Sequence, residues 1–70
     1  MRKYEYGKLL GRMKECGFTQ ESLAKAIGIG ETSLNLRLNG KLDFKRREMV
    51  DICDQLKIPY EQVGDYFFAL

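Results

Sequence analysis

The chain of 70 residues contains no histidine and no tryptophan, and it has only two cysteines. Without histidine it lacks the most common general base, and two cysteines cannot complete a structural zinc site. Two cysteines are also too few for a disulfide framework. No nucleophile has a plausible base and no glycine loop could cradle a phosphate. We therefore predict that the protein is not an enzyme and binds no metal or cofactor.

Long apolar runs are also missing. The basic start, Met1-Arg2-Lys3, is followed by no apolar segment, so we predict neither a signal peptide nor a membrane span. The expected location is the cytoplasm, with the nucleoid as the site of action when DNA is bound. Residues 1–70 should form a single domain, and a domain of this size buries only about 60% of its unfolded surface. Tight helix packing or dimerisation must therefore contribute stability.

The most informative stretch is 19–40, TQESLAKAIGIGETSLNLRLNG. Thr19 is placed to cap a short helix, and Gly28 follows that helix where a left-handed residue is needed. A second helix is predicted from Glu31 to Leu38, ended by Asn39-Gly40. Two helices joined by a short glycine-containing turn are typical of a helix-turn-helix.

The rest of the chain predicts three further helices and therefore an all-α fold with five. The first covers residues 4–16 and is ended by Gly17. The fourth runs from Arg46 to Leu56 and the fifth from Tyr60 to Gly64. The side chains expected to face the core from these parts of the chain are Tyr6, Leu9, Leu10, Met13, Phe18, Leu42, Phe44, Met49, Val50, Ile52, Cys53 and Leu56.

The central stretch resembles the helix-turn-helix of the lambda-repressor and Cro family of phage regulators. The matching residues are Gln20, Leu23, Ala24, Ile27, Gly28, Ile29, Leu34 and Asn39-Gly40-Lys41. The resemblance covers almost the whole chain and is strongest to short prophage-encoded members with an aromatic tail. It implies a compact lambda-repressor-like domain acting as a sequence-specific repressor or Cro-like regulator. The helix 31–38 would then enter the major groove of double-stranded DNA.

Leu34 and Leu38 are predicted to face inward, which turns the opposite face of that helix towards DNA. By the resemblance, the base-reading residues are Glu31, Thr32, Ser33, Leu36 and Arg37. Two of them allow alternatives. Leu36 either contacts a thymine methyl or belongs to a wide core face, and Arg37 departs from the apolar residue usual in the family. Glu31 could accept from a cytosine amino group, or it could indicate weak DNA binding.

Cations just beyond the motif predict contacts to the DNA backbone. The expected phosphate-binding residues are Gln20, Asn39, Lys41, Lys45 and Arg46. The formal net charge of the whole chain is only +2, which is low for a nucleic-acid-binding protein.

The aromatic tail offers more apolar surface than so small a core can cover. We predict dimerisation through Tyr66, Phe67, Phe68 and Leu70, and a palindromic operator with half-sites about 34 Å apart. In the alternative, Val63, Phe67 and one neighbour close the bottom of the core.

An alternative function follows from the low net charge, Glu31 and the aromatic tail. The domain would then be a protein-interaction module on the same fold, such as an antirepressor that binds a phage repressor rather than DNA.

Overall fold

The computed structural model describes residues 5–68, which form five α-helices and no strand. The helices are α1 (Gly7–Glu15), α2 (Gln20–Ile27), α3 (Glu31–Leu38), α4 (Arg46–Leu56) and α5 (Val63–Phe67), with a 3-10 turn at Tyr60–Gln62 before α5. The predicted all-α, five-helix architecture is confirmed. The bounds of α3 and α4 are as predicted, whereas the last helix extends to Phe67 instead of ending at Gly64.

Local hydrogen bonds explain where α2 begins. The Thr19 hydroxyl accepts from the backbone N–H of Ser22 at 3.0 Å, and the Ser22 hydroxyl accepts from the backbone N–H of Thr19 at 2.9 Å. The two side chains thus satisfy two backbone donors that the helix itself cannot. This confirms the predicted cap at Thr19.

The first four helices all end in the same way. Each is followed by a residue with positive φ, and the next backbone N–H returns to a carbonyl in the last turn, as in a Schellman motif. Glycine fills this position after α1, α2 and α3, and a lysine fills it after α4. The four residues are Gly17, Gly28, Gly40 and Lys57.

The core lies where α2 packs on α3 and α4, and where α5 packs on α1 and α4. Its least exposed side chains come from every helix: Leu9, Leu23, Leu34, Ile52, Leu56 and Phe67. The Phe44 ring meets the Tyr6 and Phe67 rings edge-on, at centroid distances of 5.4 and 5.2 Å. Through Phe44, the loop before α4 is anchored to both ends of the chain.

Three predicted core residues are exposed. Leu10 is 40% exposed, Leu42 46% and Val50 41%. Leu10 lies one residue beyond the buried line of Leu9 and Met13, and α1 is covered on only one side. Leu42 follows the glycine turn after α3, and Phe44 takes the inward position in that loop.

Cys53 is buried, as predicted for a core thiol. Burial, with a smaller contribution from the Asp54 carboxylate, raises the pKa of the Cys53 thiol. The thiol is therefore protonated and unreactive at neutral pH.

The end of α4 receives a side chain from α1. Arg12 donates from Nε to the carbonyl oxygen of Leu56 at 2.9 Å and from Nη2 to that of Lys57 at 3.3 Å. A cation at the carbonyl end of a helix is stabilised by the helix dipole. This contact connects α1 to the point where α4 stops.

No helix in the described part of the chain has the length and apolar character needed to cross a bilayer.

The left-handed backbone of Lys57 generates a prediction about stability. Lys57 has φ 56° and ψ 44°, a conformation that costs a residue with a Cβ about 1–2 kcal/mol. Glycine removes this strain but loses more entropy on folding, so Lys57→Gly should raise the free energy of unfolding by about 0.5–1 kcal/mol. Urea and thermal unfolding measure the change, which corresponds to several degrees in Tm.

Lys57→Ala is the matched control because it removes the charge and keeps the Cβ. It should show no comparable gain. An equal gain in both variants would assign the effect to the lysine charge and not to the backbone.

Candidate functional site

The position of α3 determines which side chains the domain offers to a partner. Leu34 and Leu38 are buried beneath the helix, as predicted. Glu31, Thr32 and Asn35 are exposed on the other side. Ser33 and Leu36 lie at the margins and are half-buried. The exposed face is therefore short, polar and free of positive charge.

Arg37 lies on the buried side of α3. It is 8% exposed, and its Nε donates to Oε1 of Glu48 at 2.8 Å. Its Nη1 donates to the carbonyl oxygen of Ser33 at 2.9 Å. Oε1 of Glu48 also accepts from the backbone N–H of Lys45 at 2.8 Å. One carboxylate thus holds α3 and the start of α4 together.

This placement corrects the sequence analysis, which put Arg37 among the base-reading residues. The guanidinium is buried and bound to Glu48, so it does not reach outward from α3. The sequence signal for this pairing is Glu48, which lies three residues after Lys45 in the first turn of α4. A carboxylate there can bind both a free helical N–H and a cation arriving from α3.

A chain of side-chain amides crosses the exposed face. Nδ2 of Asn35 donates to Oε1 of Gln20 at 3.1 Å, which connects α3 to the start of α2. Nδ2 of Asn39 donates to the Asn35 side-chain oxygen at 3.0 Å and to the Asn35 carbonyl at 2.9 Å. Gln20 and Asn39 were predicted as phosphate-binding residues, and the structure brings both to Asn35. Asn35 is the residue of this group to which the sequence assigned no role.

The predicted cationic residues lie after α3. Lys41, Lys45 and Arg46 are all exposed, in the loop and at the first residue of α4. Arg47, next to them, lies 3.7 Å from Asp51 in an exposed ion pair. Positive charge is therefore present beside α3, whereas the exposed face of the helix itself carries only the Glu31 carboxylate.

The aromatic tail does not form one exposed cluster. Tyr66 is 9% exposed and Phe67 1%, so both belong to the core of the monomer. This corrects their assignment to a dimer interface and agrees with the alternative in which the tail closes the core. Phe68 is 46% exposed, and Leu70 lies outside the described residues.

Phe68 forms one wall of an open apolar groove between α4 and α5. The side chains that line this groove are Arg46, Met49, Val50, Cys53, Tyr60, Val63 and Phe68. Its rim contains three of the five large exposed hydrophobic side chains among residues 5–68, namely Val50, Tyr60 and Phe68. The groove is thus an exposed apolar surface, in contrast to the polar face of α3.

The ion pair beneath α3 makes a prediction that separates a structural from a DNA-reading role. Arg37→Met leaves the Glu48 carboxylate buried without its cation, and it should lower the free energy of unfolding by about 3 kcal/mol. The double variant Arg37→Met/Glu48→Leu removes both charges and should recover most of that loss. Urea unfolding of the two variants measures both values.

A single Arg37→Met variant as stable as the parent protein would contradict the structural role. The backbone N–H of Lys45 loses its acceptor in the double variant, which limits the recovery by about 1 kcal/mol.

No curated protein matches this chain. A solved structure that does match is the solution structure of the modulator of repression (MOR) of the temperate bacteriophage TP901-1 from Lactococcus lactis. The two sequences are 33% identical, the alignment covers 94% of this chain and 89% of that chain, and the TM-score is 0.80.

These comparisons correct the family that the sequence motif suggested. The likeness is to a modulator of repression, and the assignment to the lambda-repressor and Cro family is wrong. Most of the motif residues, among them Leu23, Gly28 and Leu34, serve the turn and the packing of α2 on α3, which any protein with this pair of helices requires. The matching family model, described as "Protein of unknown function (DUF739)", spans residues 2–69. The chain belongs to the DUF739 family.

Proposed function

We propose that this protein regulates a phage repressor by binding to it. The observation that carries the proposal is the similarity, at 33% identity over 94% of the chain, to a protein named as a modulator of repression. A protein that modulates repression can act on the repressor itself, and the exposed face of α3 suits such a contact. The proposed function is thus the alternative inferred from the sequence, an antirepressor that binds a phage repressor rather than DNA.

The charge of α3 supports a protein partner. A helix that enters the major groove lies between two rows of phosphates, where cations are favoured. The single cation of α3, Arg37, is buried against Glu48, and the exposed face carries the Glu31 carboxylate. A repressor must present basic side chains to phosphates, so an acidic and amide-rich face complements the DNA-binding side of a repressor.

The amide chain supports the same partner. Gln20, Asn35 and Asn39 are held by one another, so their positions are set before a partner arrives. Groups that are already ordered lose less entropy on binding. Side-chain amides both donate and accept, which matches the mixed polar groups of a protein surface.

A second candidate function is sequence-specific binding to operator DNA, in the manner of a repressor or a Cro-like protein. The specific observation in its favour is the exposed set Lys41, Lys45 and Arg46 directly after α3. These cations could neutralise phosphates while Thr32 and Leu36 face the bases.

The deciding experiment uses the purified protein, the repressor of the phage that carries its gene, and that repressor's operator. We expect calorimetry to show binding to the repressor, and gel-shift assays to show reduced occupancy of the operator by the repressor. The protein alone should not shift the operator at physiological salt. Enrichment of a palindrome from a random duplex library by the protein alone would instead establish the second candidate.

Glu31→Lys tests the face of α3. Because it places a cation opposite a basic partner surface, it should weaken repressor binding by about tenfold or more. The matched control is Glu21→Lys, which reverses an exposed acidic residue in the first turn of α2. Stronger binding of Glu31→Lys to duplex DNA, with unchanged repressor binding, would contradict the proposal.

The cations after α3 test the second candidate. If the protein grips DNA there, Lys41→Ala and Lys45→Ala should each weaken binding to every duplex equally and reduce the salt slope by about one. Under the protein-partner proposal, neither variant changes occupancy of the operator by the protein alone, because there is none to change. A salt titration with each variant makes the comparison.

A further inference from the structure

One exposed stripe of α4 has a distinctive order of side chains. Arg46, Val50 and Asp54 are spaced four residues apart, so they lie along one side of the helix, and all three are exposed. The stripe begins with a positive charge, has an apolar side chain at its centre and ends with a negative charge. Val50 lies at the midpoint, four residues from each charge.

Such a stripe is complementary to itself. If a second helix of the same sequence lies antiparallel across Val50, each residue before position 50 faces a residue equally far beyond it. Arg46 of each copy then meets Asp54 of the other, and the two Val50 side chains meet at the centre. A two-fold axis through Val50 produces this pairing, and such interfaces use the same patch on both subunits.

We propose that α4 forms a homodimer interface with α4 of a second copy, with the two-fold axis beside Val50. This interface takes the place of the dimer contact predicted through Tyr66 and Phe67, because both of those residues are buried in the monomer. The proposal does not rest on the repressor-binding function.

The surroundings of Val50 provide the apolar centre that an interface needs. Val50 lines the same groove as Tyr60 and Phe68. Tyr60 is 58% exposed, so the contact of a second α4 would remove a large apolar area from water. The charged residues of the stripe then lie at the two ends of this apolar region.

The two charges are available for pairing across the interface. Among residues 5–68, no carboxylate lies within ion-pair distance of Arg46. Asp54 accepts a hydrogen bond from the Tyr60 hydroxyl at 2.6 Å through Oδ1. That bond engages Oδ1 and does not use Oδ2.

A second copy explains this pattern better than an unrelated helix does. The groove would accept many apolar helices. Binding to an unrelated partner, however, does not require the α4 stripe to be complementary to a second copy of itself. The interface also leaves α3 accessible. Glu48, which holds α3 through Arg37, is two residues from Val50, or roughly 200° around the helix. The stripe thus lies on the side of α4 away from the Glu48 side chain that holds α3.

Charge reversal of the full chain tests the pairing. Sedimentation velocity from about 10 μM to about 1 mM should show the parent protein in a weak monomer–dimer equilibrium, as expected for a small interface. Arg46→Glu alone and Asp54→Lys alone should each weaken association by about tenfold or more, because each homodimer then contains two like-charge contacts. An equal mixture of the two variants should regain dimers, since every contact in the heterodimer is again between opposite charges.

Arg47→Glu and Asp51→Lys are the matched controls. They make the same charge changes on the same helix, outside the stripe, and should leave association unchanged. Val50→Asp should abolish the dimer while circular dichroism shows the helices retained, since Val50 is exposed.

A parent protein that remains monomeric at the highest concentration overturns the proposal. Failure of the mixed variants to associate overturns the antiparallel register. Neither outcome bears on repressor binding, which calorimetry measures separately.

Discussion

The buried ion pair between Arg37 and Glu48 sets the position of α3, on which the proposed function depends. Two charges taken out of water are tolerated only when their hydrogen-bonding groups are satisfied. Here the guanidinium also binds the Ser33 carbonyl, and the carboxylate also accepts from the N–H of Lys45. Rotation of α3 would break this set of bonds. The helix is therefore held with Glu31, Thr32 and Asn35 outward, and that choice of face determines what the protein can bind.

The same ion pair changes the kind of partner that the helix-turn-helix geometry favours. A pair of helices shaped like α2 and α3 can present basic side chains to DNA, but here the cation of α3 is used inside the protein. The face that remains has a carboxylate at its start, Glu31, and the amide chain of Gln20, Asn35 and Asn39 across it, which complements a basic protein surface better than phosphates. The similarity to a modulator of repression agrees with that chemistry. The shape of the two helices alone would favour DNA binding, and the burial of Arg37 is what argues against it.

Features encoded locally were predictable, and features encoded by distant contacts were not. The Thr19 cap, the glycine turns and the apolar spacing predicted the bounds of α3 and α4, because each depends on residues within one or two turns. The placement of Arg37 depends on a glutamate eleven residues away, and no local pattern contains it. Leu10, Leu42 and Val50 were assigned to the core because their helical spacing or loop position allows it. Which side of a short helix is covered depends on neighbours that the pattern does not include. The family assignment failed for a related reason, since most of the matching residues, such as Leu23, Gly28 and Leu34, build the turn and the core and do not define the binding surface.

The two sides of α4 show how a domain this small can offer two surfaces. Glu48 faces α3, and Ile52 and Leu56 enter the core, so one side of the helix is committed to the fold. The opposite side contributes little to the core, and Val50 there is exposed. Such a side would usually be polar along its length. Val50 departs from that expectation because it is apolar. It lies midway between Arg46 and Asp54, and this order of charges lets two antiparallel copies pair about a two-fold axis. A dimer formed there would hold two α3 faces in one particle and raise the avidity for a repressor that is itself two-fold.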